Sequence, residues 1–244
     1  MRIITFKKEV SFDHSSNVKC LPGKKYIISD GFLEQIKDNF DSSHIDSINY
    51  FNEIKEKKYL GQDLTDKKIV IWRTGGMGDL CFITPNLRYI KETFKNSEIS
   101  FGCGPRFRTG MMYHPYIDKL ISLPIDLDII NNSDYYLMFE GIIENNEEAK
   151  RVNAYDLFEK AFGFHGKISK DKKIPVLGTN KEYSDKYEKI ISNFRESRKN
   201  NNPMIGIALR ASHIIRSIPP QILHGIISLL VNNGIPVNLL GGID

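Results

Sequence analysis

The chain has 244 residues, 41% hydrophobic and 26% charged, a globular balance with room for one large domain or two modest ones that excludes the disordered and fibrous classes. Its net charge of +4 comes from 34 basic against 30 acidic residues spread along the whole length, which argues against a nucleic-acid-binding surface. No stretch reaches the roughly 20 apolar residues of a membrane span, and the opening MRIITFKKEVSF lacks the apolar core of a signal peptide, so a cytoplasmic location is expected.

Residues 1–45 read as a small β-rich module with one helix. Short β-type runs at 3–6 and 26–28 flank the turn Leu21-Pro22-Gly23, and a helix opens at Ser29 and Asp30 with Phe32, Leu33, Ile36 and Phe40 on one face. The module is too small to bury much surface alone and is expected to pack on its neighbour or on a protein partner. Residues 46–66, polar and rich in Lys and Glu, read as a linker or exposed helix. Cys20, Cys81 and Cys103 lie far apart without a C-x-x-C pair, so they read as reduced, mostly buried thiols.

From Lys67 the pattern becomes α/β. Strands are predicted at 69–72, 98–103, 119–123 and 135–139 and helices at 79–94 and 155–162, with Tyr155, Phe158 and Phe162 in the core. This alternation predicts a parallel sheet covered on both faces over a first domain, 67–178. A helical connector spans 179–202, its helix at 183–198. A second α/β unit, 203–244, follows with a strand at 204–209, a loop at 210–217, a helix at 219–233 and a strand at 236–240.

Thr74-Gly75-Gly76-Met77-Gly78-Asp79 joins a strand to a helix. Its glycines allow a sharp turn and close approach of a ligand to main-chain N–H groups at the positive helix end, which suits anions or hydroxyl-rich ligands. The plainer alternative is a tight turn in which Asp79 is only a helix-capping acid. A G-x-G-x-x-G frame using Gly76 and Gly78 puts Cys81 at its third position, and Cys103-Gly104-Pro105 stands where an acid is needed, so nicotinamide binding is disfavoured; without a Lys-Ser or Lys-Thr after the glycines a P-loop fails too. The second loop carries Arg210, Ser212, His213 and Arg216 between a strand end and a helix start, a setting that suits a diphosphate, or else arginines that are simply solvated. His213 reads as a bystander and His114 as structural. Glu140, at a strand end, reads as a solvated acid or as a contact for an acceptor hydroxyl.

Taken together, these segments resemble the ADP-heptose:lipopolysaccharide heptosyltransferases, glycosyltransferase family nine, whose members have the two-domain GT-B architecture. The residues that carry the resemblance are 68–73, Gly78-Asp79, Thr84-Pro85, His114-Pro115-Tyr116-Ile117-Asp118, Ala211-Ser212 with Arg216 and Pro219, and Leu239-Leu240-Gly241-Gly242. It covers roughly residues 67–244. Residues 1–66 have no counterpart in the family pattern, and Arg216 stands where lysine is common, keeping the charge with a different fork geometry. Family members continue for on the order of 100 residues beyond Asp244; the second domain is therefore expected to be incomplete, in a fragment or a shortened protein.

The resemblance implies a pair of Rossmann-like parallel-sheet domains that close over the substrates. It also implies inverting transfer of a sugar, a heptose among the possibilities, from a nucleotide-diphosphate donor to a glycan or lipopolysaccharide-type hydroxyl. Asp79 would be the general base. Gly75, Gly76 and Gly78 would admit substrate, and Arg210, Ser212, Arg216, Gly241 and Gly242 would bind the donor, with the leaving diphosphate stabilised without a metal ion. No cofactor is expected. Asp126-Leu127-Asp128, in a predicted loop, is the nearest approach to a metal-binding acid pair. Two rival readings are a non-catalytic scaffold of the same architecture and an NDP-sugar epimerase, the latter lacking the further acids and histidine its chemistry needs.

Overall fold

The computed structural model describes residues 1–11, 19–36, 42–198, 204–208 and 218–240. The chain divides into two compact units, residues 1–180 and 181–244. The first opens with β1 (Arg2–Phe6), β2 (Val10–Ser11), β3 (Lys19–Cys20), β4 (Lys25–Ile28), α1 (Asp30–Ile36) and β5 (Ile45–Tyr50). Its α/β part runs β6 (Lys68–Arg73), α2 (Met77–Thr93), β7 (Glu98–Cys103), α3 (Arg108–Met111), β8 (Lys119–Ser122), β9 (Ile125–Asp126), α4 (Leu127–Asn131), β10 (Tyr135–Met138) and α5 (Ala154–Ala161).

The predicted parallel sheet is present, in the order β10-β6-β7-β8 with every neighbouring pair parallel. Alternate residues of a strand point to opposite faces. Ile69 and Ile71 therefore join Phe101, Leu137, Leu80 and Ile83 of α2 and Phe158 of α5 in one core. Val70 and Trp72 join Tyr136 and Ile121 in another. Trp72 stacks on Tyr136 with ring centroids 5.8 Å apart. Burial on both faces is why β6 reads as an almost unbroken apolar run.

The second face is covered mainly by a sheet, with Ile130 of α4 buried beside it. The antiparallel sheet β5-β1-β4-β9 lies over it, with Ile3 and Ile27 directed into the shared core. Ile4, Phe6, Tyr26 and Ile28, the alternate residues, form a separate core with Phe32 and Leu33 of α1. Residues 45–50 are thus a strand, β5, paired antiparallel with β1 from Arg2↔Tyr50 to Phe6↔Ile45, so 46–50 are not the linker that their composition predicts. An edge strand with one wet face carries polar residues, and composition alone reads it as a connector. The rest of that stretch is anchored as well. Tyr59 and Leu64 are buried in the helix-side core, and Lys57 Nζ donates to the carbonyls of Asn131 (2.6 Å), the last residue of α4, and Ser133 (2.7 Å) beyond it.

Residues 125–126 of the α/β part supply β9, the edge strand beside β4, so the amino-terminal sheet is completed from outside its own segment. Where the sheets meet, Gly102 of β7 leaves no room for a side chain: a Cβ there would lie 2.8 Å from Ile125 Cδ1 and 2.9 Å from Trp72 Cβ. In α2, Pro85 has no N–H for the carbonyl of Cys81 one turn earlier. The Thr84 hydroxyl donates to that carbonyl at 2.8 Å and accepts from Val176 N at 2.8 Å. The Thr-Pro pair thus keeps a proline inside a helix and ties down the chain after α5.

The second unit comprises α6 (Lys181–Arg198), β11 (Ile205–Ala208), α7 (Pro220–Asn232) and β12 (Val237–Leu240). β11 and β12 pair in parallel, Ile205 opposite Val237, which makes a β-α-β unit through α7. Among the described residues of the chain, no helix is long and apolar enough to cross a membrane. Cys20 and Cys103 are buried and Cys81 half-buried, all as free thiols.

His114 is buried, accepts from Tyr116 N at 3.2 Å, and is pushed by burial from its ordinary 6.5 down to about 4. The unfolded chain therefore binds this proton more readily than the folded one, so the stability linked to His114 is full above about pH 6.5 and is lost as pH falls towards about 4. Denaturant melts across this window are expected to lose up to about 3 kcal/mol, and a His114→Gln variant to show a flatter profile. Gly102→Val, which forces methyl groups between the sheets, is expected to destabilise by about 1–3 kcal/mol in the same measurement.

Candidate active site

In the parallel sheet β6 continues through α2 to β7 on one side, while β10 adds on the other. The chain direction thus diverges between β6 and β10. In open α/β sheets such a switch point leaves a crevice beyond the carboxyl ends of the strands. The segments leaving those ends are the glycine turn after Arg73 and the segment that begins at Phe139.

Arg73, the last residue of β6, is 1% exposed. Its Nη1 donates to the Phe139 carbonyl. Its Nη2 donates to Asp79 Oδ2 at 3.0 Å and to Glu144 Oε1 at 2.7 Å. Burial alone would lower the guanidinium's pKa, but bonds and charge from Glu144 and Asp79 outweigh it and hold the group firmly charged. For Glu144, burial pushes the carboxyl up, while backbone N–H groups and Arg73 more than compensate and leave it below the usual carboxylate range.

Gly76 is the N-cap of α2, and its N–H donates to Asp79 Oδ2 at 3.1 Å. Asp79 is thus a capping acid and the partner of a buried arginine, with both bonds on Oδ2 and neither on Oδ1. The Asp79 side chain is 27% exposed. Glu140 is neither simply solvated nor free to meet a ligand with both oxygens: Oε1 accepts from Thr74 N at 2.6 Å and Oε2 from Thr74 Oγ1 at 2.5 Å. It fixes the first residue of the turn. Tyr135 and Phe139 pack on the helix-side core, whereas Tyr136 faces the antiparallel sheet, so this strand end does not present its aromatic residues to one side.

The glycines differ in what they require. A Cβ on Gly75 would lie 2.3 Å from Asp79 Oδ2 and 2.5 Å from Arg73 Nε, whereas on Gly76 or Gly78 it would meet nothing within 4 Å. Gly75 is the position at which the arginine–aspartate pair itself excludes a side chain. Above this turn lies an open cleft of about 610 Å³, bounded by Thr74, Gly75, Glu140 and Glu144 on one side and residues 29–32 at the start of α1 on the other.

The structure therefore brings Asp79, Gly75, Gly76 and Gly78 together at the switch point. Arg210, Ser212, Arg216, Gly241 and Gly242, the expected donor-binding residues, lie outside the described residues, as does His213. Asp126 and Asp128 are not in a loop. Asp126 ends β9 and caps α4, accepting from Asp128 N at 3.0 Å. Both aspartates pair with Lys24 Nζ, at 2.7 and 3.3 Å. Their spacing serves a helix start and an ion pair to the amino-terminal sheet. Among the described residues no group of three or more His, Cys, Asp and Glu could hold a metal ion.

Sequence reasoning gave no site role to Arg73, Thr74 or Glu144, and read residues 29–32 only as the start of a helix. A charged residue that ends an apolar strand just before a glycine turn is a readable signal for Arg73. Nothing in the sequence couples it to Glu144, 71 positions away.

No family model and no curated protein matches the sequence. Among solved structures, the chain is similar to a glycosyl transferase family 9 protein from Veillonella parvula DSM 2008, with 15% identity and a TM-score of 0.58 over 75% of this chain and 64% of that one. It also aligns with the E. coli heptosyltransferase WaaC bound to ADP-2-deoxy-2-fluoro heptose, with 13% identity and a TM-score of 0.45 over 72% and 69% of the two chains. A third match is the iron-containing dodecameric glycosyltransferase TibC from enterotoxigenic E. coli, with 11% identity and a TM-score of 0.46 over 75% and 45%. The likeness to the Veillonella protein is one of fold, a Rossmann-like α/β arrangement, and the chain spans 64% of that protein's length.

Gly75→Ala is expected to separate Arg73 from Asp79 and to lower stability by about 1–3 kcal/mol, as for other overpacked sites. Gly78→Ala, in the first turn of α2 with open space around it, is expected to be neutral or stabilising by up to about 1 kcal/mol. Thermal melts of the two variants against the parent chain check both.

Proposed function

We propose that this chain is a glycosyltransferase of the inverting, metal-independent kind, which moves a sugar from a nucleotide-diphosphate donor to the hydroxyl of a glycan or lipopolysaccharide-type acceptor. The observation that carries this reading is the setting of Asp79: a carboxylate at the switch-point rim of a Rossmann-like sheet, held through Oδ2 by Arg73 and Gly76 N. Fixing one oxygen leaves Oδ1 to take the proton of an acceptor hydroxyl as that oxygen attacks the anomeric carbon. The bond from that carbon to the diphosphate breaks as the new C–O bond forms, with inversion, and the electron pair leaves with the diphosphate.

A base held by a buried guanidinium is fixed in position. General-base assistance as the C–O bond forms is typically worth about 10²- to 10⁴-fold. The leaving diphosphate falls in this reading to Ser212 and Arg216, with Arg210 and Gly241-Gly242 beside it. Support for that half comes from the sequence pattern, a hydroxyl and guanidinium groups between a strand and a helix start. Heptose is the donor sugar suggested by the family resemblance. The fold likeness to a family 9 glycosyl transferase is consistent with the class of reaction.

Calorimetric titration with ADP, UDP and GDP is expected to find one preferred nucleotide, with its binding lost in Arg216→Ala. Asp79→Asn is expected to keep that affinity while lowering transfer or donor hydrolysis by about 10²- to 10⁴-fold. Binding of none of the three nucleotides would remove the reading. Nucleotide binding without any turnover would favour the non-catalytic scaffold.

A further inference from the structure

The cleft above the glycine turn is built from two parts of the chain. Its floor and one wall come from Thr74, Gly75, Glu140 and Glu144 of the α/β part; its other wall comes from residues 29–32 of the amino-terminal module. We propose that this module forms the specificity wall of the acceptor subsite, and that the cleft takes an uncharged, hydroxyl-rich ligand, a neutral sugar residue, with its ring face towards Phe32. The inference rests on the transferase reading and names the substrate class for that site.

The charges decide the ligand's sign. Asp30, Glu140 and Glu144 line the cleft. The cations that meet them are already engaged: the Met1 ammonium and Arg2 Nε hold Asp30 at 2.9 and 2.8 Å, and Arg73 holds Glu144. No uncommitted cation is left among the described lining residues to receive a phosphate or carboxylate. Carboxylates keep further lone pairs for hydroxyl donors even when paired. Phe32 and Met138, with the bare backbone at Gly31, Gly75 and Gly141, add an apolar, flat surface of the kind that C–H faces of sugars pack against. The volume, about 610 Å³, suits one or two sugar rings.

The floor of the cleft has one further feature. Arg73 Nε is buried without a hydrogen-bond partner. It lies 2.5 Å from the place a Gly75 Cβ would fill, and Asp79 Oδ2 lies 2.3 Å from the same place. The floor of the cleft is thus thinned to backbone directly over an unsatisfied donor and the proposed base.

Gly31 offers a test, because it lines the cleft and a Cβ added there would meet nothing within 4 Å. Amide NMR titration of the full chain with millimolar methyl glycosides of glucose, galactose and mannose is expected to shift Gly31, Gly75 and Gly141. Glucose 6-phosphate is expected to bind more weakly than the matching glycoside. Gly31→Trp is expected to reduce glycoside affinity at least about tenfold with unchanged melting temperature and nucleotide binding, whereas Gly31→Ala retains it. Glycoside binding unaffected by Gly31→Trp, shifts that map elsewhere, tighter binding of the phosphorylated sugar, or no shift with any glycoside would each overturn the proposal. The nucleotide titration reports separately on the transferase reading, so failure of one is distinguishable from failure of the other.

Discussion

One buried guanidinium organises the carboxyl end of the sheet. Arg73 ends β6 inside the protein, and its bonds reach the end of the neighbouring strand, the first turn of α2 and the segment after β10 through Phe139, Asp79 and Glu144. A charge in that position is tolerable only with its partners in place. The glycine at 75, the cap at 76 and the acid at 79 are therefore one requirement rather than three: the turn must pass close enough to let an aspartate reach the arginine. Thr74 is fixed from the opposite side by Glu140, so each loop at the switch point is tied to the other.

The rest of the first unit explains why that arrangement is rigid. A parallel sheet needs both faces covered. Here helices α2 and α5 cover one, and a second sheet together with α4 covers the other, with Trp72 and Tyr136 stacked between the sheets. The absence of a side chain at Gly102 lets the layers close. The same antiparallel sheet that completes the core also carries α1 to the edge of the cleft, so packing and the shape of the site come from one element.

Much of this was legible in the sequence where the signal is local. The apolar run of β6, the strand at 98–103, the helices α2, α5, α6 and α7 and the glycine turn with Asp79 follow from periodicity and turn chemistry, whereas the short α3 and α4 do not. Proline at 85 is a local signal as well, and its hydroxyl neighbour turns out to occupy the carbonyl that the missing N–H leaves open. What periodicity does not carry is pairing at a distance. β5 is polar because it is an edge strand, β9 is two residues long, and the acids Asp126 and Asp128 answer a lysine at position 24, about a hundred residues earlier. Glu140 and Glu144 look like surface acids until the fold brings Thr74 and Arg73 to them. The loop at 210–217 lies outside the described residues, and its chemistry rests on the sequence pattern alone.

The short strand β9 also bears on how the chain assembles as it is made. Strands β1, β4 and β5 emerge from the ribosome first, yet their sheet has its last edge only when residues 125–126 arrive, and β6 has its second neighbour only with β10. The nascent amino-terminal sheet therefore waits with one edge unpaired and its inner face uncovered, a state prone to wrong association. Once β9 docks, the two sheets are laced together by the chain itself. Because its sheet is completed by β9 and shares a core with the parallel sheet, a change in the length or sequence of this module has to be accommodated across that interface, which couples the wall of the cleft to the sheet beneath it.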